Sequence, residues 1–451
     1  MDTKNFLNEV CKEIKYQPAR KPIAEELKMH IQDIKEDYVS SGMPEKEAEE
    51  KAVSQMGVAE EIGKKLNKIH RPKLDWQLLI LVIILIGFGV VVSILKKSIM
   101  NYNYIGNIIV YMLIGIVLGI CIYFFDYRKM RKYTNIIYLI ATIIMFLPII
   151  GLDTLINGVK WVRIFGITFM PCTIAVPLYL ISFIGFIVDY KNDNIIKIQN
   201  EQFNISLNKD FIKILVLGIF SLILMLYIPS VANAIILGCA YLVITTVKIL
   251  QNKEHKIKKL IILYAPILTF AVVFVTTIIF TSPYRLNRIK ASFFPETDPN
   301  GSGYVGMLQK EVLENAKFIG QADTRVISSD EYVISRESNY TFIYLLGKTG
   351  ILFSGILVLT IILTSIKLIL NAKHIKEQYG KFLIIGLSTL YIFQSIASVL
   401  MNINMGIATN INLPFVTYGG VYFIVNMINI AIIFSVYRRK NINLFESETI
   451  I

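Results

Sequence analysis

The sequence predicts an all-α, polytopic membrane fold of about ten transmembrane helices behind a small cytoplasmic helical N-terminal domain, and three observations carry that prediction. Hydrophobic residues make up 54% of the 451, charged residues only 18%, and mean hydropathy is +0.57. Apolar runs of about 18 residues or more recur along the chain, which is the length a helix needs to cross a bilayer. The first 72 residues carry 13 Lys and Arg against 14 Asp and Glu, whereas the remainder carries a net charge of +14. A basic excess spread over the loops of an apolar chain reads as membrane topology, and no basic run is interleaved with aromatics as a nucleic-acid surface requires. The abundance of Lys, Asn and Ile points to an AT-rich bacterial genome, and so to a bacterial plasma membrane.

The polar head, residues 1–72, reads as three short helices. Ile23, Leu27, Ile31 and Ile34 keep a 3.6-residue period and make one apolar stripe. Gly42 breaks the chain, and Pro44 suits a helix start followed by Glu45 and Glu47, where the helix dipole favours acids. Ala48, Ala52, Val53 and Met56 form its apolar face and Gly57 ends it. Val58, Ile62, Leu66 and Ile69 continue the pattern. Nothing here resembles a cleavable signal peptide, so the first span would act as an uncleaved signal.

The spans are expected near 76–95, 104–125, 134–151, 167–188, 211–228, 231–249, 260–281, 340–366, 382–403 and 415–436. With the N-terminus inside, the inner loops and the C-terminal Arg438-Arg439-Lys440 hold 19 basic residues, against 4 in the short outer loops. That bias predicts cytoplasmic N- and C-termini. Lys96 and Lys97 run against it and are expected to snorkel to the headgroups. Trp161 is expected to anchor an interfacial helix. The interval 282–338 falls outside, and it is the longest polar stretch within the apolar part of the chain. It carries seven basic and eight acidic residues. Cys11, Cys121, Cys172 and Cys239 lie in the head or within apolar runs, which argues against a disulfide framework. His30, His70, His255 and His374 have no metal spacing and read as solvated surface residues.

Three ordered motifs identify a resemblance. The first is Pro283-Tyr284-Arg285…Arg288-Ile289, followed by Pro295-Glu296-Thr297-Asp298-Pro299…Gly301-Ser302-Gly303-Tyr304 and Gln309. The second is Gly158-Val159-Lys160-Trp161-Val162…Gly166…Met170-Pro171-Cys172. The third is Leu413-Pro414-Phe415-Val416-Thr417-Tyr418-Gly419-Gly420 with Asn426-Met427. Together they resemble the SEDS family, the shape, elongation, division and sporulation proteins such as FtsW, RodA and SpoVE, over residues 74–440. The head resembles the small helical prefix domain of several Gram-positive membrane proteins, which implies a cytoplasmic adaptor with a partner of its own. Residues 441–451 are left as a cytoplasmic tail.

The resemblance implies a cell-wall protein that polymerises the lipid-linked peptidoglycan precursor lipid II on the outer membrane face, beside a class B penicillin-binding protein. A sugar hydroxyl would attack the anomeric carbon bearing the lipid pyrophosphate, a general base would take its proton, and arginines or a divalent cation would meet the departing pyrophosphate. No covalently bound cofactor and no protein metal site is expected. Arg285, Arg288, Tyr304, Gln309, Pro414, Tyr418, Gly419 and Gly420 are the implied substrate-binding residues.

Charged positions of the family are missing from this chain. The catalytic carboxylate aligns with Asn339, which cannot act as a base. Thr173, Val176 and Ser230 likewise stand where the family carries charge. Glu337, two residues before Asn339, is the candidate replacement. Two readings stay open: a divergent glycosyltransferase using Glu337, or a non-catalytic scaffold binding lipid-linked precursor or a partner. A precursor transporter is weaker, because no paired broken helices mark inverted repeats. Asp298, Gly301 and Gly303 read as turn residues.

Overall fold

The computed structural model describes residues 2–97, 104–156, 159–164, 166–189, 195–200, 203–228, 230–251, 283–328, 334, 337–417 and 419–441. The chain divides into two compact units, Met1–Asp75 with Val436–Ile451, and Trp76–Ser435.

The first unit contains four helices rather than three: α1 (Thr3–Glu13), α2 (Gln17–Ser40), α3 (Glu45–Met56) and α4 (Ala59–His70). The Asp2 carboxylate caps α1 by accepting the Asn5 N–H at 2.9 Å. Besides a partly buried Leu7, helix α1 presents Phe6 and Val10, with Ile14 just beyond it, a stripe too short to stand out in sequence. All three are nevertheless buried against Ile23, Leu27 and Ile31 of α2 and Ala52 and Val53 of α3. Gly42 and Gly57 end their helices at φ of +90° and +95°, a conformation that favours glycine. Val58 and Ile69 leave the expected stripe and are exposed. His70 is buried rather than solvated. Its Nδ1 lies 2.6 Å from the Asn441 carbonyl, and Asn441 donates back to the Ile69 carbonyl at 3.0 Å.

In the second unit, seven described helices are long and apolar enough to cross a membrane, and two shorter apolar helices stand at the third and fifth expected spans. They are α5 (Trp76–Leu95), α6 (Tyr104–Phe124), α8 (Thr134–Phe146), α9 (Pro171–Asp189), α10 (Lys209–Tyr227), α11 (Val231–Gln251), α16 (Ile351–Lys373), α17 (Gln378–Asn402) and α18 (Gly420–Arg438). The short α7 (Arg128–Lys132) precedes α8. The expected span 260–281 lies outside the described residues.

Three expectations are corrected. The interval 153–169 is an antiparallel sheet of β1 (Asp153–Ile156), β2 (Val159–Ile164) and β3 (Ile167–Phe169). Trp161 therefore sits on a strand, paired with Thr154, and not on an interfacial helix. Val159, Trp161, Val162 and Ile164 are β-branched or aromatic residues, the types enriched in strands. A second hairpin, β4 (Ile195–Asn200) with β5 (Phe203–Asn208), lies between α9 and α10. The run 340–366 is two helices, α15 (Thr341–Thr349) and α16, broken at Gly350, whose φ is +94°. The freed N–H groups of Ile351 and Leu352 are met by the carbonyls of Lys317 and Phe318 at 2.9 and 3.0 Å.

The polar interval carries α12 (Pro283–Phe293), α13 (Tyr304–Glu314) and α14 (Arg325–Ser328). Its back half is pinned to the helix break by Gly320 N–H to Thr349 O at 3.1 Å and Ala322 N–H to Gly347 O at 2.8 Å. Gly347 has no room for a side chain, because a Cβ there would overlap Ile327 and crowd Val312.

Candidate functional site

Between the first sheet and the start of α9 on one side, and residues 337–339, 410–412 and the start of α18 on the other, lies a cavity of about 380 Å³, within the range of small-ligand pockets. One wall is Trp161, Thr168 and Phe169 of the first sheet, Met170 just after it and Thr173 of α9. The other is Glu337–Asn339, Asn410, Asn412 and the 419–422 start of α18. Glu337 is the only carboxylate among the described lining residues.

The floor of this site is held by amides. Asn402, fully buried at the end of α17, accepts the Ile343 N–H at 3.1 Å and donates to the Asn339 carbonyl at 3.0 Å and the Ser398 carbonyl at 2.7 Å. One side chain thus fixes the first turn of α15 and the segment before it. The Asn339 side chain donates to Asn410 Oδ1 at 3.2 Å, and Ser338 Oγ donates to Asn412 Oδ1 at 3.3 Å. Tyr422 donates to the Asn412 carbonyl at 2.7 Å. The aligned acid position is therefore a neutral hydrogen-bonding amide facing the cavity beside Glu337.

Lys96 is the largest departure from expectation. It does not snorkel: it is 0% exposed. Its Nζ donates to the Glu337 carbonyl at 3.0 Å and lies 4.9 Å from the centre of the Tyr344 ring. Tyr344, itself fully buried, donates its hydroxyl to the Leu95 carbonyl at 3.1 Å, so one side chain contacts the end of α5 and the Lys96 ammonium together. Burial pushes the ammonium down to about 7, while the nearby Glu337 carboxylate pulls in the opposite direction.

The remaining predicted residues divide. Gly419 and Gly420 line the cavity together with Glu337 and Asn339. Gly420 starts α18 where an added Cβ would run into the Tyr111 ring. Pro414 is buried in the preceding turn, where Thr417 Oγ1 accepts the Leu413 N–H at 2.9 Å and Phe415 adopts φ of +64°. Gln309 is buried and donates to the Met401 carbonyl at 3.2 Å, tying α13 to the end of α17. Tyr304 opens α13, half-exposed, and lines no wall of the cavity. Arg285 and Arg288 lie on helix α12, as a shared face requires, but their side chains fall outside the description. Tyr418 lies outside the described residues.

Asp298 fixes a turn as expected. Its carboxylate accepts the Ser302 N–H at 2.7 Å and its carbonyl accepts the Gly303 N–H at 3.0 Å. A Cβ on Gly303 would overlap the Pro295 carbonyl. Thr173 lines the cavity, Val176 is buried, and Ser230 accepts from Asn233 Nδ2 at 2.8 Å. Sequence reasoning missed Lys96, Asn402, Asn410 and Asn412 as site-builders. The available signal was four asparagines, Asn402, Asn404, Asn410 and Asn412, within eleven residues of an otherwise apolar region.

The family model described as "Cell cycle protein", covering FtsW, RodA and SpoVE, matches residues 75–442. A probable peptidoglycan glycosyltransferase FtsW of Trichlorobacter lovleyi is 24% identical over 80% of this chain and 92% of its own length. Its counterpart in Nitrosomonas europaea is 23% identical over 84% and 97%. Among solved structures, a chain from work on structural coordination of polymerization and crosslinking by a peptidoglycan synthase complex superposes with a TM-score of 0.64. It is 17% identical and covers 81% of this chain and 98% of that one. The rod shape determining protein RodA of Thermus thermophilus gives 0.55 at 15% identity, over 81% and 97%. These two likenesses establish the shared fold.

Proposed function

The chain belongs to the FtsW, RodA and SpoVE family of cell cycle proteins, and from that premise we propose that it is a cell-wall glycosyltransferase in which Glu337 replaces the missing carboxylate. It is a multi-pass membrane protein of peptidoglycan synthesis. The observation that carries the catalytic reading is that Glu337 is the only carboxylate among the described residues lining the 380 Å³ cavity.

In this reading the cavity takes the acceptor sugar of a lipid-linked precursor. Its hydroxyl forms the new C–O bond to the anomeric carbon of the donor, the bond from that carbon to the lipid pyrophosphate breaks, and the proton passes to Glu337. Amides at Asn339, Asn410 and Asn412, with Trp161 in the wall, are the residue types that orient sugar hydroxyls and cover an apolar sugar face. Arg285 and Arg288 would meet the departing pyrophosphate. No cluster of three His, Cys, Asp or Glu converges among the described residues. A divalent cation in this reading would arrive on the substrate phosphates.

The charge bias of the loops supports cytoplasmic termini and an outward cavity. The likeness to a peptidoglycan synthase complex supports a penicillin-binding partner. The test combines the purified chain, that partner, lipid II and a divalent cation. Polymer that disappears in Glu337→Gln supports the relocated base, and polymer unaffected by that change removes it.

A second reading, a non-catalytic scaffold, is favoured by one observation: the aligned acid is an amide already engaged with Asn410. Absence of polymer under conditions where an intact family member works would select it.

A further inference from the structure

The cation at Lys96 has no role in that glycosyltransferase reading, yet it is buried against the main chain of Glu337, the only carboxylate among the described residues that line the cavity. An ammonium removed from water costs several kcal/mol unless its surroundings compensate. Among the described residues, what compensates here is the Glu337 carbonyl at 3.0 Å, the face of Tyr344, and the Glu337 charge. A lysine at the end of an apolar helix normally reaches outward to water, as the exposed Lys97 next to it does. Lys96 instead turns inward, to Glu337 and the ring of Tyr344.

We propose that Lys96 is a positioning residue for Glu337, holding the 337–339 segment against α5 and keeping the cavity carboxylate ionised. The inference rests on the reading of Glu337 as the base. The geometry supports two separate contributions. The hydrogen bond to the Glu337 carbonyl fixes the backbone of the segment, while Asn402 fixes the Asn339 carbonyl two residues on. The positive charge favours the proton-free carboxylate, which is the form a general base needs before reaction. The charged groups among the described residues facing this lysine are Glu337 and, across Tyr344, Lys348, whose Nζ lies 5.9 Å from the same ring. The phenol of Tyr344 is spent on the Leu95 carbonyl.

The experiment uses the full-length chain in detergent or nanodiscs and two variants, Lys96→Met, which keeps the stem, and Lys96→Gln, which keeps a donor without the charge. Two readouts separate the inference from the reading beneath it. In lipid II polymerisation, both variants should lower kcat at least tenfold with KM within about twofold, and move the acid limb of the pH profile upward by about one unit. In infrared titration, the carboxylic-acid band that Glu337→Gln removes should titrate about one unit higher in both variants. A loss of packing alone moves neither midpoint. An unmoved infrared midpoint in the folded variants overturns the inference, whether or not the protein polymerises. Polymerisation that survives Glu337→Gln overturns the base reading instead, and leaves the infrared coupling to be judged by its own result. Where Lys96→Met fails to fold, Lys96→Gln supplies the same midpoint.

Discussion

The two ends of the membrane bundle handle charge in opposite ways. At the end bearing α7, ions meet ions or helix termini at short range. Arg128 bonds the Asp126 carboxylate at 2.7 Å and Arg131 bonds Asp189 at 2.6 Å. Glu377 caps α17 by accepting the N–H groups of Tyr379 and Gly380 at 2.7 and 2.6 Å, and also accepts the Tyr127 hydroxyl at 3.0 Å. Burial, and then the Glu377 carboxylate, push the Tyr127 phenol upward, so it stays a neutral donor. At the cavity end a fully buried ammonium is seated on the Glu337 carbonyl over the Tyr344 ring, and the segment it holds is also pinned by asparagine amides. The first arrangement pairs opposite charges at short range and caps a helix end. The second holds a costly charge in place, which is the pattern expected where position matters more than stability.

The sharpest way to break this contrast is at the acid. Glu337→Gln should reduce polymerisation by about 10²- to 10⁴-fold, the usual contribution of a general base, with the fold retained by circular dichroism. Glu377→Gln at the opposite end should leave polymerisation within twofold.

Next comes stability against pH. The folded Lys96 loses its proton near 7 and an unfolded lysine near 10.5. Between these values the unfolded chain binds the proton that the folded chain has released, so stability rises as pH increases from 7 to 10.5, and the burial penalty is full below 7. The apparent Tm of the wild type should therefore climb across that window, and Lys96→Met should flatten the climb. The Tm of the variant relative to the wild type should therefore be highest near pH 6 and fall as the pH approaches 10.5.

A smaller effect is expected at the helix break. Gly350→Ala forces a side chain into φ of +94° against the carbonyls of Lys317 and Phe318. It should cost about 1–3 kcal/mol, read as a lower apparent Tm. The smallest belongs to the half-exposed Arg131–Asp189 pair, where Asp189→Asn should change stability by less than about 1 kcal/mol. For the helical head, deletion of residues 1–70 should leave membrane insertion intact and remove a cytoplasmic partner. An unchanged set of pulled-down partners would count against the adaptor role.

Sequence legibility follows the same division. The apolar spans were readable because bilayer crossing imposes length and composition on every residue in them. The turn at Asp298, Gly301 and Gly303 was readable because its chemistry is local. The cavity was only half readable. Glu337 and Asn339 could be found by position, but the partners of that segment come from Lys96, Asn402 and Asn410, up to 241 residues away. No local pattern marks a lysine that turns inward. The first sheet was obscured because its strands are short and abut apolar runs. Helix α1 was obscured because few apolar positions sufficed once α2 and α3 supplied the rest of its core.

Asn402 carries one last consequence. It grips the main chain at Asn339 and leaves that residue's side chain alone. The seat is thus indifferent to whether position 339 ends in an amide or an acid, and Asn410, once its amide turns over, could donate where it now accepts. Chemistry at 339 is separable from architecture there. Asn339→Asp should be a graft into a socket already cut to shape, returning the acid to its family position without rebuilding the wall around it.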